Sequence, residues 1–94
     1  MTDPLFELTS FQRDLLYVVV GETDPSGQEI KTELETVMDE ITHGRLYPNL
    51  DTLVKKGYLE KGEIDRRTNY YQVTEKGLEA LQARRNWEDR YVDL

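Results

Sequence analysis

The chain contains no cysteine. Disulfides, thiol nucleophiles and cysteine-based zinc sites are therefore excluded. Its single histidine, His43, cannot build a metal cluster, and no cofactor is expected. Long apolar runs are missing too. The longest, Leu15 to Val20, has six residues, against the ~20 that a membrane-spanning helix needs. The first residues lack the basic-then-apolar pattern of a secretory signal. There is no Gly-rich phosphate loop, no His-x-x-x-His and no nucleophile motif. Acids such as Asp39 and Glu40 have no oriented base or oxyanion donor supplied beside them, so no catalytic residues and no enzyme activity are expected. These absences leave a cytoplasmic protein with no membrane partner, built as one small domain over residues 1–94. A core of that size is modest, which makes self-association a reasonable expectation.

Charge is plentiful but unevenly placed. The chain carries 12 Lys and Arg against 19 Asp and Glu, a net −7. Residues 1–40 hold ten acids and two bases, whereas residues 41–85 hold nine bases and six acids. The remaining nine residues hold three acids and one base. An acidic protein is not the usual nucleic-acid binder. Binding depends, however, on the local field of one face, and the middle segment supplies a basic one. An ordinary, less acidic surface would give the same count.

The hydrophobic pattern predicts four helices and one hairpin. Thr9 and Gln12 have the spacing of a capping box before a helix from about Ser10 to Val20, with Phe11, Leu15, Val18 and Val19 on one face. Gly21 ends it, and Asp24 to Gly27 form a turn. Ser26 and Glu29 repeat the box and open a second helix to about Met38, striped by Ile30, Leu34, Val37 and Met38. Thr42 caps a third helix to about Lys56. Pro48 is expected to kink it or make its start irregular, because proline removes a hydrogen bond and crowds the Gly44 carbonyl. Residues 58–64 and 69–73 read as strands joined by a turn at 65–68. Thr74 caps a last helix over about 75–91. The predicted fold class is mainly α with a small β-hairpin. Its order is that of a winged helix-turn-helix, with three helices, a two-stranded wing and a C-terminal dimerisation helix.

Two segments carry a family resemblance. Ile41 to Leu59 contains Gly44, Leu46, Tyr47-Pro48, then leucines spaced to Gly57 and an apolar strand. Arg66 to Gly77 contains the step Tyr71, Thr74, Gly77 into the last helix. Together they resemble the recognition region and wing of PadR-type transcriptional regulators over residues 11–86. The resemblance implies a winged helix-turn-helix that binds double-stranded DNA and regulates transcription. Many members of that family carry a longer C-terminal helical region for dimerisation or ligand sensing. No motif here supports a small-molecule effector. A MarR-like regulator is the alternative fold, although its usual extra helices exceed this length. A winged-helix module that binds a protein rather than DNA is the alternative function.

The candidate DNA-contacting residues follow from helix position and side-chain chemistry. The start of helix three offers Thr42, His43, Arg45, Tyr47 and Asn49, where backbone N–H groups also attract phosphate. Arginine can read guanine and asparagine adenine through paired hydrogen bonds. Equally, Arg45 could be a surface ion-pair partner, Asn49 a solvated helix residue and the Tyr47 ring part of the core. His43 suits a cap or phosphate contact. Arg66, Arg67 and Thr68 at the wing tip, flanked by Lys61, suit phosphate or minor-groove contact. Lys55 suits a phosphate or the dipole of its own helix end.

Trp87 and Tyr91, four residues apart near the end of the last helix, predict an interface, unless Trp87 folds back on its own first helix. With Leu5, Phe6, Phe11, Leu15 and Leu81 they form the expected surface of a homodimer, which would place two recognition helices on a pseudo-palindromic operator. A repressor is the expected role. The acidity of residues 1–40 makes most sense where molar salt shortens the Debye length to ~3 Å, so a halophilic host, such as a halophilic archaeon, is expected.

Overall fold

The computed structural model describes residues 4–93, the side chains of residues 4 and 5 excepted; the expectation for Leu5 therefore lies outside the described residues. A 3-10 turn, Pro4–Glu7, leads into α1 (Ser10–Gly21), α2 (Gly27–Leu34) and α3 (His43–Lys55). The strands β1 (Leu59–Glu63) and β2 (Asn69–Val73) follow, then α4 (Glu75–Asp89). This is a mainly helical winged helix-turn-helix with a two-stranded antiparallel wing.

Each helix begins at a side-chain cap. Thr9 and Ser26 close complete capping boxes with Gln12 and Glu29. Thr42 and Thr74 accept from the backbone N–H of Arg45 and Gly77. Each such cap contributes about 1 kcal/mol. Their apolar stripes meet in one core. Leu15 and Leu16 of α1, Ile30 of α2, and Leu46, Leu50 and Leu53 of α3 are fully buried, together with Ile41. Truncating one of these leucines to alanine removes roughly 2–5 kcal/mol.

Four boundaries differ from the sequence expectation. α2 stops at Leu34, not Met38. Beyond it the chain turns back on itself, with Met38 N–H still donating to the Leu34 carbonyl while Val37 lies 80% exposed. The apolar spacing of Val37 therefore did not signal burial. α3 is continuous through Pro48 rather than irregular. The hydrogen bond that proline cannot make belongs to the carbonyl of Gly44, an exposed residue, where water can take its place. β1 begins one residue late and ends one early. α4 stops at Asp89, before Tyr91.

The wing is tied to the helices at both ends. Leu59 faces Val73 and Glu63 faces Asn69 in the ladder. Tyr71 N–H donates to the Pro25 carbonyl and Ser26 bridges Tyr70, so the residues before α2 line the free edge of β2. This pairing gives two short strands the third partner that isolated hairpins lack. At the other end Thr74 Oγ1 donates to the carbonyl of Gly57, at 2.6 Å. A side chain at Gly77 would strike the Tyr58 carbonyl and Val73, which is why a glycine ends the Tyr-x-x-Thr-x-x-Gly step.

Candidate nucleic-acid interface

The turn before helix α3 is braced by one side chain. Glu35 Oε2 accepts from Ile41 N–H at 2.8 Å, and Oε1 from Lys31 Nζ at 3.3 Å. These contacts, the backbone N–H first, hold the Glu35 carboxyl below its usual value. The turn between α2 and α3 is thus closed by an ionised side chain, and Thr42 begins α3 directly after it.

The exposed start of α3 carries Thr42, His43 and Arg45. Thr42 Oγ1 is occupied by its capping bond. The His43 ring stands edge-on to Tyr47, with centroids 5.6 Å apart. Arg45 lies with its guanidinium carbon 4.0 Å above the Phe11 ring. That stacking, favourable by about 0.5–1 kcal/mol at an exposed site, takes the place of the surface ion pair that Arg45 could have made. Tyr47 leans across to α2, its ring against Gly27. Asn49 is half-buried and engaged: its Oδ1 accepts from Gln12 Nε2 at 3.0 Å, and its Nδ2 donates to the Arg45 carbonyl at 2.7 Å.

The wing tip is shaped by Asp65. Its carboxylate accepts from the backbone N–H groups of Arg67 and Thr68, at 2.8 and 3.0 Å, and these bonds lower its pKa, Arg67 first. The acid is therefore turned to the backbone, while the side chains of Arg66 and Arg67 are exposed. Lys61 on β1 approaches Asp51 of α3 at 3.8 Å, both exposed, a contact worth under about 1 kcal/mol. Lys55 is exposed at the end of α3. Close by that face, burial first and then the charge of Asp51 push the Tyr71 hydroxyl up to about 12, so it stays protonated as a core group.

One cleft joins these elements. Ser26, Gly27 and Gln28 of the α2 start, Tyr47 of α3, and Arg67, Thr68 and Asn69 of the wing enclose about 170 Å³. The start of α2, the flank of α3 and the wing tip therefore share one surface. The sequence does not single out Gly27 and Gln28 for this surface, nor Gln12 as the partner of Asn49. Gly27 read only as a turn residue and Gln12 only as a cap. Among the described residues no group of His, Cys, Asp and Glu could hold a metal ion, and no helix is long and apolar enough to cross a membrane.

The residues expected at a dimer surface divide into two sets. Phe11, Leu15 and Leu81 are buried in the chain's own core, because α1 packs centrally against α2, α3, α4 and β2; they are not free for a partner. Phe6, Trp87 and Tyr91 form a ladder of rings, with centroids 5.0 and 5.2 Å apart, and Arg84 lies over the first two. Phe6 is 37% and Tyr91 71% exposed. Beside them Trp87, Glu88, Tyr91 and Val92 line an open apolar hollow of about 300 Å³.

Known proteins share this fold. The family described as Transcriptional regulator PadR-like matches residues 15–83. RosR of H. salinarum, in crystals grown from NaBr, is 44% identical over 94% of this chain and 82% of its own, with a TM-score of 0.85. The complex structure of hsRosR-SG is 43% identical over 99% of this chain and 83% of that one, with a TM-score of 0.89. FabT of Streptococcus pneumoniae, solved in complex with DNA, shares the fold at 21% identity and a TM-score of 0.73, over 93% of this chain and 59% of its own. No curated protein matches the chain.

Proposed function

We propose, from the premise that the chain belongs to the PadR-like family of transcriptional regulators, that it is a repressor that binds pseudo-palindromic operators as a homodimer. As a family member it is a DNA-binding winged-helix regulator and not an enzyme. The observation that carries the finer reading is the shared surface of α3 and the wing. Thr42, His43 and Arg45 at the start of α3 and Arg66 and Arg67 on the wing are all exposed, and one cleft connects the two elements. That arrangement suits a helix in the major groove with a basic hairpin on the neighbouring backbone.

The dimer reading is supported by the ring ladder at the end of α4. An apolar hollow beside exposed Tyr91 and Val92 is a surface that a second copy would cover. Two copies joined there would double the DNA contact, and operator symmetry would follow the two-fold axis. A halophilic host is supported by the acidic first 40 residues and by 44% identity to a protein of H. salinarum.

The test is occupancy and salt dependence together. Genome-wide occupancy of the tagged protein should return a set of sites with inverted half-sites. Binding of those duplexes by the purified protein should weaken as salt rises. Failure to shift any duplex at any salt concentration at which the protein is folded would favour a module that binds protein instead. Transcripts downstream of occupied sites should rise on deletion; a fall would make the protein an activator.

A further inference from the structure

Gln12 joins the start of α1 to the recognition helix through a directional chain of hydrogen bonds. Its Oε1 accepts from Thr9 N–H at 3.1 Å, and its Nε2 donates to Asn49 Oδ1 at 3.0 Å. Asn49 Nδ2 donates in turn to the Arg45 carbonyl at 2.7 Å. Both ends of the chain are backbone groups with one possible role each: an N–H can only donate and a carbonyl can only accept. The orientation of both amides between them is therefore fixed. Neither can turn over without placing donor against donor at one end and acceptor against acceptor at the other.

This matters because of what an asparagine amide does at a base edge. Paired recognition of adenine needs one acceptor and one donor from the same amide. With Gln12 and the Arg45 carbonyl in place, Asn49 retains one oxygen lone pair and one N–H. Which of the two lies where is set from two sides, by the Arg45 carbonyl and by Gln12, a residue of α1. The same turn of α1 also holds Arg45, through the Phe11 ring. We propose that Gln12 is a positioning residue for sequence recognition, fixing the Asn49 amide in the orientation that α3 presents to DNA. The proposal rests on the reading of the protein as a sequence-specific DNA binder.

The chemistry provides a selective test. Gln12→Glu keeps the acceptor that closes the capping box with Thr9, and glutamate is the residue such boxes favour. It removes the donor that holds Asn49 Oδ1. The probe is the duplex that the wild-type protein enriches from a randomised pool, read against a scrambled duplex at the same salt. The ratio of the two affinities cancels the uniform repulsion of an added negative charge. Gln12→Glu should leave the melting temperature within a few degrees of wild type and lower that ratio about ten-fold, the loss of one oriented contact. Gln12→Met, which adds no charge, should lower the ratio likewise. Asn49→Ala should lower it too, and adding Gln12→Glu to that variant should lower it no further, since the two act through one contact. An unchanged ratio in Gln12→Glu and Gln12→Met, or a full further loss in the Asn49→Ala background, would overturn the proposal. Enrichment of no sequence by the wild-type protein would overturn the DNA-recognition reading itself, and the positioning role with it.

Discussion

The ring of Tyr47 occupies the space that a side chain on Gly27 would need. A Cβ built on Gly27 lies 2.6 Å from Tyr47 Cε1 and 2.7 Å from its hydroxyl oxygen. A glycine in the first turn of α2 therefore lets the flank of α3 approach. Tyr47 is 37% exposed, so its ring has somewhere to go if it is displaced.

Gly27→Ala should accordingly separate folding from binding. Alanine favours the helix by up to about 1 kcal/mol, and the Tyr47 ring can swing toward solvent. The melting temperature should move by only a few degrees. Affinity for duplex DNA should fall roughly ten-fold, because the displaced ring intrudes on the surface shared with the wing; one well-made contact is worth about that much. Circular dichroism melts and fluorescence anisotropy measure the two effects. Unchanged anisotropy titrations would place Tyr47 away from the DNA.

Replacing Arg66 and Arg67 together with alanine should weaken binding to every sequence alike. If both side chains touch phosphate, the slope of log K against log salt should flatten by up to about two. Asp65 keeps its backbone bonds in this variant, so the turn itself should persist. An identical slope before and after would assign both arginines to solvent.

Trp87→Ala should shift the protein toward monomer. Trp87 packs edge-on against Phe6 and beside Tyr91, and interfacial aromatics commonly carry ~2 kcal/mol or more. Affinity for a two-half-site duplex should drop more than affinity for a single half-site. Sedimentation equilibrium decides: a wild-type monomer at micromolar concentration, or an unaffected mutant dimer, would exclude this surface as the interface.

Glu35 should make stability sensitive to acid. Ile41 N–H and then Lys31 lower its folded pKa below the ordinary 4.5. A depressed carboxylate stabilises the fold fully above that ordinary value, and the contribution disappears as pH falls through the folded pKa. Glu35→Gln should therefore be less stable than wild type at pH 7, and the gap between them should close as the solution is acidified below pH ~4.5. Thermal melts of both proteins across that range provide the comparison. A constant gap would mean that the Ile41 contact does not depend on ionisation.

Stability should rise from dilute buffer to molar KCl. The ten acids of residues 1–40 repel one another when salt is low. Molar salt shortens the range of that repulsion to ~3 Å. Specific DNA binding should persist there, because base contacts act at short range. A melting temperature that is flat or falling with KCl would mark an ordinary acidic protein rather than one suited to a halophilic host.

The sequence by itself determined the element order, the caps and the basic centre of the chain. Thr9, Ser26, Thr42 and Thr74 act on backbone groups three residues away, so their role is written in local spacing. The apolar stripes of α1 and α3 are periodic for the same reason. The family resemblance rests on Tyr47-Pro48 and on Thr74 and Gly77; of these, the structure places Tyr47, Thr74 and Gly77 at close approaches between elements. Spacing could not decide whether Val37 was core or surface, since burial depends on where α2 ends and the chain turns. Nor could it decide that Phe11 would lie beneath Arg45, or that Gln12 would reach Asn49 across 37 positions. Those contacts join side chains on different helices. They exist only once the buried leucines have fixed how α1 and α3 cross, so only the tertiary structure decided which candidate residues are held, and by what.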